Sequence, residues 1–179
     1  LQQEAARQLR FSAKNTMRVA QQLYENGYIT YMRTDSTHLS KEAVKGSRHI
    51  NSKLFGDEFL PKSVNQDKTN VKNAQEAHEA IRPTDIIRTP QNVKKYLSTD
   101  QNKLYDLIWS RALSSQMESA KFDRNTITIS SDNNDTICRA SGSVLKFDGF
   151  LNIYKNQAKD EDENILPAVS KGPINIETL

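Results

Sequence analysis

Apolar residues recur at helical spacing along the first two-thirds of the chain and then change to a strand-like alternation. Leu1, Ala5, Ala6 and Leu9 predict a short amphipathic helix over 1–10. Ser12 is placed to cap a second helix, 13–26, with Met17, Ala20, Leu23 and Tyr24 as its buried stripe and Gly27 as the left-handed residue that stops it. Tyr28–Ser36 follows, rich in β-branched and aromatic residues, and is expected to be extended. Ser40 caps a third helix, 41–55. Leu39 and Val44 have staple spacing, and Ala43, Val44, Ile50, Leu54 and Phe55 form the apolar face. Gly56 is its stop, and Gly46 is a helix-weakening residue in its interior.

Residues 61–73 are polar and read as a loop. A short helix over 74–81 must end near Ile81, because Pro83 disfavours the α conformation at Arg82. If its last turn holds, His78 and Arg82 are neighbours on one face. A helix at 91–97 follows Pro90. A longer one, 101–117, is capped by Thr99 or Asp100 and buries Leu104, Leu107, Ile108, the stem of Arg111 and Ala112 beside Trp109. From Phe122 the period is two. Thr126–Ser130 and Thr136–Ala140 form a hairpin across an Asp132–Asp135 turn, Val144–Phe147 adds a further strand, and Phe150–Tyr154 fits either a strand or a short helix. Residues 159–164 form an acidic loop and Ile174–Leu179 a last strand. The fold class is therefore α+β: a mostly helical domain over 1–120, then an antiparallel β piece over 121–179, with the boundary near 118–122.

Composition narrows the function classes. Mean hydropathy is −0.74, and no apolar run approaches the ~20 residues of a membrane span. No secretory leader pattern opens the chain. The one cysteine, Cys138, excludes an internal disulfide and a cysteine-rich zinc site, fits a reducing cytoplasm, and is expected to be a small buried strand residue. His38, His49 and His78 lack metal-ligand spacing. There is no Gly-rich phosphate loop, so ATP hydrolysis has no support. Residues 1–100 hold 16 Lys and Arg against 11 Asp and Glu, a net +5, whereas 101–179 hold 9 against 11, a net −2. The basic half suits a polyanionic partner.

Candidate chemistry lies in Tyr31-Met32-Arg33-Thr34-Asp35-Ser36. In an extended segment Tyr31, Arg33 and Asp35 project from one face together with Ile29, while Tyr28 and Thr30 point the other way. A phenol, a guanidinium and a carboxylate can serve as nucleophile, phosphate clamp and orienting group. The structural alternative is a strand tyrosine beside an ordinary surface ion pair.

This segment, preceded by Gly27-Tyr28-Ile29-Thr30, closely resembles the active-site segment of the bacterial topoisomerase I family, the type IA DNA topoisomerases. Ala74-Gln75-Glu76-Ala77-His78-Glu79-Ala80-Ile81-Arg82-Pro83-Thr84 resembles that family's second signature. The resemblance implies that Tyr31 attacks single-stranded DNA and is linked to a 5′-phosphate, that Arg33 assists cleavage, and that His78 influences DNA binding. Arg82, Asp35 and Ser36 are expected DNA-side residues. It also implies a winged-helix-like core in the tyrosine-bearing domain and an arch to which 121–179 contribute part.

Relaxation of negatively supercoiled DNA without ATP, in the cytoplasm at the nucleoid, is the implied activity. The family's N-terminal acidic domain, which would hold Mg2+, has no counterpart here: no suitable Asp-x-Asp pair follows an apolar strand. With Leu1 in place of an initiator methionine, the sequence reads as an excised fragment, inactive alone and binding no metal itself. The rival readings are a non-enzymatic winged-helix DNA-binding module and a structural hinge whose Tyr-Met-Arg segment merely packs.

Overall fold

Five α-helices and one hairpin make up the computed structural model, which describes residues 1–65, 78–130, 137–154 and 172. The helical part is built on α5, Thr99–Ser114, which buries Leu104, Tyr105, Leu107, Ile108, Trp109, Ala112 and Leu113. Ser98, not Thr99 or Asp100, caps it. The Ser98 hydroxyl accepts from the Gln101 amide and the Gln101 side chain accepts from the Ser98 amide, a reciprocal capping box. Arg111 is exposed, so the inner face turns toward Tyr105 and Leu113 rather than toward its stem.

Against α5 lie α1 (Gln2–Leu9), α2 (Ala13–Glu25) and α3 (Lys41–Phe55). Ser12 and Ser40 cap α2 and α3 through the amides of Asn15 and Ala43, as their positions predict. The buried stripe of α2 is Thr16, Val19, Ala20 and Leu23. Met17 is only partly buried and Tyr24 is exposed, because the Thr16 hydroxyl satisfies itself on the Ser12 carbonyl and can enter the core. In α3, Leu54 faces solvent. Gly46 has a packing reason: a Cβ there would come within 3.2 Å of Ile86 Cγ2. The Asn51 side chain, fully buried, donates to the Leu113 carbonyl and ties α3 to α5.

The expected helix at 91–97 is α4, Pro90–Val93, continued by a 3-10 turn over Lys94–Tyr96. Before it, Tyr105 and Trp109 hold the 86–88 connection by donating to the carbonyls of Arg88 (2.7 Å) and Ile86 (2.9 Å). No helix is present over 78–82, and 74–77 lie outside the described residues. Pro83 there pairs with Ile29 instead, and that isolated bridge is the only strand-like pairing in the described helical part.

The hairpin joins β1 (Lys121–Ser130) to β2 (Ile137–Phe147), antiparallel, with Ile127 opposite Ala140 and Ile129 opposite Cys138. Val144–Phe147 is the continuation of β2 rather than a separate strand. The expected turn, the acidic loop and the last strand lie outside the described residues, apart from the turn's flanks. Both faces of the hairpin are largely open to solvent, and Cys138 is exposed rather than buried. Phe150–Tyr154 falls in a 3-10 helix, Gly149–Tyr154, whose Tyr154 hydroxyl lies 3.0 Å from the Ser114 hydroxyl. Gly149 has φ 51°, and a Cβ there would run into the carbonyl oxygen of Glu118, which accepts from the Phe150 amide.

Candidate active site

The end of α2 aims the chain into the site. The Tyr28 amide donates to the Leu23 carbonyl (2.8 Å) and the Gly27 amide to that of Tyr24 (2.9 Å), with Gly27 at φ 73°. This pair of bonds is a Schellman stop, which only a residue tolerant of the left-handed region allows. Tyr28 then turns inward, its ring edge-on to Tyr105 with centroids 6.0 Å apart. Ile29 is 1 % exposed whereas Tyr31 is 37 % exposed, so Ile29 leaves the expected common face, while Tyr31, Arg33 and Asp35 are all exposed. The backbone bends at Tyr28, Thr30, Met32 and Arg33 instead of running as a strand. Docking onto the distant 80–84 segment and burial of Met32 decide which side chains face inward, and no local pattern encodes that docking.

Residues 31–37 form a loop whose two feet meet at one residue. On one side the Thr30 hydroxyl donates to the Ala80 carbonyl (2.7 Å); on the other the Ala80 amide donates to the His38 carbonyl (2.8 Å). The Thr30 amide donates to the Arg82 carbonyl, the Arg82 amide donates to the Thr30 hydroxyl, and the Thr84 amide and hydroxyl reach Tyr28 and Gly27. Within the loop the Ser36 amide donates to the Thr34 hydroxyl and the His38 amide to the Ser36 hydroxyl. A compact loop with tied ends is a rigid mount for a reactive group.

Three aromatic rings meet on that mount. Tyr31 is edge-on to Tyr24, with centroids 5.4 Å apart and planes at 68°, and is tilted against His78 at 5.6 Å. The structure thus brings together Tyr31 and His78, which are 47 positions apart. Arg33, two residues after Tyr31, is exposed and makes no hydrogen bond or ion pair among the described residues.

Arg82 is placed differently. Its guanidinium is held by Glu79 through Nε–Oε1 (2.7 Å) and Nη2–Oε2 (2.8 Å), and Nη1 donates to the Pro83 carbonyl. Both side chains are mostly buried. Burial pushes the Glu79 carboxyl upward, but hydrogen bonds from Arg82 and the Ser40 amide outweigh it and hold Glu79 below its ordinary range.

Asp35 and Ser36 line an open groove of about 1570 Å³ running along α1 and α5 to Tyr154, and neither Tyr31 nor Arg33 lines it. No ion pair joins Asp35 to Arg33 among the described residues. On the groove wall Asp106 is pushed above its ordinary range by burial. Among the described residues no group of three or more His, Cys, Asp or Glu is gathered to hold a metal ion. Nor is any helix among them long and apolar enough to cross a membrane.

The sequence matches the family described as "DNA topoisomerase" over residues 1–178. This chain belongs to that family. As a topoisomerase chain it is 48 % identical over 171 residues to DNA topoisomerase 1 of Rickettsia felis, covering 91 % of this chain and 22 % of the relative. It is 50 % identical over 182 residues to that of Streptomyces coelicolor, covering 96 % and 19 %. The solved full-length topoisomerase I of Thermotoga maritima superposes with a TM-score of 0.77 at 35 % identity, over 96 % of this chain and 28 % of that one. The topoisomerase chain thus spans about a fifth of the curated relatives it matches, and corresponds to a segment of a bacterial topoisomerase I of type IA.

Sequence reasoning about this topoisomerase site passed over three residues. The Met17, Ala20, Leu23 and Tyr24 stripe puts Tyr24 in the core of α2, whereas the buried stripe of Thr16, Val19, Ala20 and Leu23 turns it outward. Glu79 stands at i−3 to Arg82, a spacing that suits a local ion pair. Ala80, which ties the loop, carries no chemical signal at all.

Proposed function

We propose that this chain carries the nucleophile of a type IA topoisomerase reaction and that Tyr31 is that nucleophile. The observation that carries the reading is the Tyr31 ring, exposed on a tied loop and set against His78. The phenolic oxygen bonds to a phosphorus of single-stranded DNA as the bond to the 3′ oxygen breaks. The proton lost by the phenol is matched by one gained at the 3′ hydroxyl. A 5′-phosphotyrosine diester conserves the bond for religation, so strand passage and relaxation of negative supercoils need no ATP.

A free phenol has a pKa of ~10, and cationic surroundings favour its ionised form. Arg33, with no hydrogen-bond or ion-pair partner among the described residues, supplies such a charge and can clamp a nonbridging oxygen. His78 contacts the same or an adjacent phosphate. Asp35 and Ser36 serve DNA through the groove they line, and Arg82 acts through the loop's neck. Mg2+ belongs to the acidic domain of the full-length protein; among the described residues here no cluster of carboxylates is gathered to hold it, and no step assigned to Tyr31 runs through it.

In this reading residues 1–120 are the winged-helix-like tyrosine-bearing domain and 121–179 part of the arch, in an enzyme that works at the nucleoid. The test is mass spectrometry of the full-length protein stopped with denaturant during reaction on a single-stranded oligonucleotide. The adduct is expected on Tyr31, lost in Tyr31→Phe and kept in Tyr28→Phe. An adduct on Tyr28, or one surviving Tyr31→Phe, sinks the assignment.

A further inference from the structure

We infer that Tyr24 is a positioning residue for the Tyr31 phenol, a role that rests on Tyr31 being the nucleophile. The fold makes little use of Tyr24: it is 40 % exposed, outside the buried stripe of α2. Its hydroxyl has no hydrogen-bond partner among the described residues. What it does touch is the Tyr31 ring, edge-on at 5.4 Å, the arrangement that ring quadrupoles favour.

An exposed tyrosine on a loop ordinarily samples several staggered positions. Tyr31 instead has a second ring beside it, His78 at 5.6 Å, and the two neighbours stand on separate supports. Tyr24 sits in the last turn of α2, and its carbonyl accepts the Gly27 amide, one of the two bonds of the Schellman stop. His78 stands on the segment tied to the loop's feet at Ala80. Neither support belongs to the loop that carries Tyr31, so the phenol is held from outside.

In-line displacement at phosphorus depends on the direction of the attacking oxygen, and small misplacement is costly in rate. Since the ring and not the hydroxyl makes the contact, phenylalanine should replace Tyr24 and an aliphatic side chain should not.

The experiment uses the full-length enzyme that contains this chain. The rate of adduct formation is measured at saturating single-stranded oligonucleotide, and the Kd of the uncleaved oligonucleotide is measured in a Tyr31→Phe background. Tyr24→Leu is expected to slow adduct formation about tenfold to a hundredfold, with Kd and melting temperature unchanged, and Tyr24→Phe to restore the rate. Wild-type cleavage by the Leu variant overturns the inference. So does loss of affinity in place of rate, which would make Tyr24 a DNA contact, and so does failure of Phe to rescue. An adduct mapped away from Tyr31 in the wild type is a separate result, which removes the nucleophile assignment itself.

Discussion

Arg33 is the side chain whose surroundings say most about its use. An exposed guanidinium without a partner among the described residues contributes little to folding, so a substitution there reads out chemistry with little effect on stability. Arg33→Lys in the full-length enzyme keeps the charge but replaces a planar fork with a point charge. Loss of one charge-assisted contact in the transition state is expected to cost about 2–4 kcal/mol, or ~30- to 1,000-fold in cleavage rate. Quenched-flow cleavage assays check this, and an unchanged rate would leave Arg33 without a catalytic role. At this scale the sequence showed which residue types matter but not their neighbours. Tyr31 and His78 belong to motifs that can be read directly, yet their ring contact depends on a chain reversal of 47 positions. Arg82 is expected on the DNA side, but its guanidinium is engaged by Glu79, which is a matter of side-chain geometry.

The segment around Ala80 works as an element although it is neither helix nor strand, and Glu79 is its electrostatic anchor. The carboxylate takes the Arg82 fork on one side and the Ser40 amide, at the cap of α3, on the other. Glu79→Gln is expected to lower stability by about 1.5–3 kcal/mol at neutral pH, because it weakens a charge-assisted bidentate pair in a mostly buried position. The folded-state pKa of Glu79 lies below its ordinary 4.5, so the native state favours the ionised form. That contribution is complete above 4.5 and is lost as the pH falls through the depressed value. Urea denaturation from pH 7 down to acid should show the wild type losing this increment and the Gln variant lacking it. Most caps and stops were legible at this scale because each is decided within four residues: Ser12, Ser40, Gly27 and Gly56 stand where predicted, while the α5 cap lies one residue before the expected Thr99. The extended reading of Tyr28–Ser36 failed because its hydrogen-bond partners come from residues 80–84.

For the whole molecule, the change from helical to alternating periodicity was visible in the sequence, and the hairpin begins at Lys121. The unbroken run of β2 was less so, since Gly142 and Ser143 interrupt the apolar pattern without interrupting the ladder. A chain spanning about a fifth of its relatives, with its positive charge in the half that holds Tyr31, is expected to bind single-stranded DNA weakly. Its affinity should fall as salt rises, and it should leave a supercoiled plasmid unrelaxed. Fluorescence anisotropy across a salt series and a gel relaxation assay check both outcomes. The meeting of Thr30 and His38 at Ala80 also bears on the order in which the enzyme is made. A nascent chain that has emerged only through residue 65 already contains the Schellman stop, the whole loop and its phenol. It lacks the one amide and carbonyl that draw the loop's feet together, and a contact of such sequence separation forms after the local helices. The tyrosine is therefore synthesised before the residue that closes its loop, and a chain terminated between the two carries it without its mount.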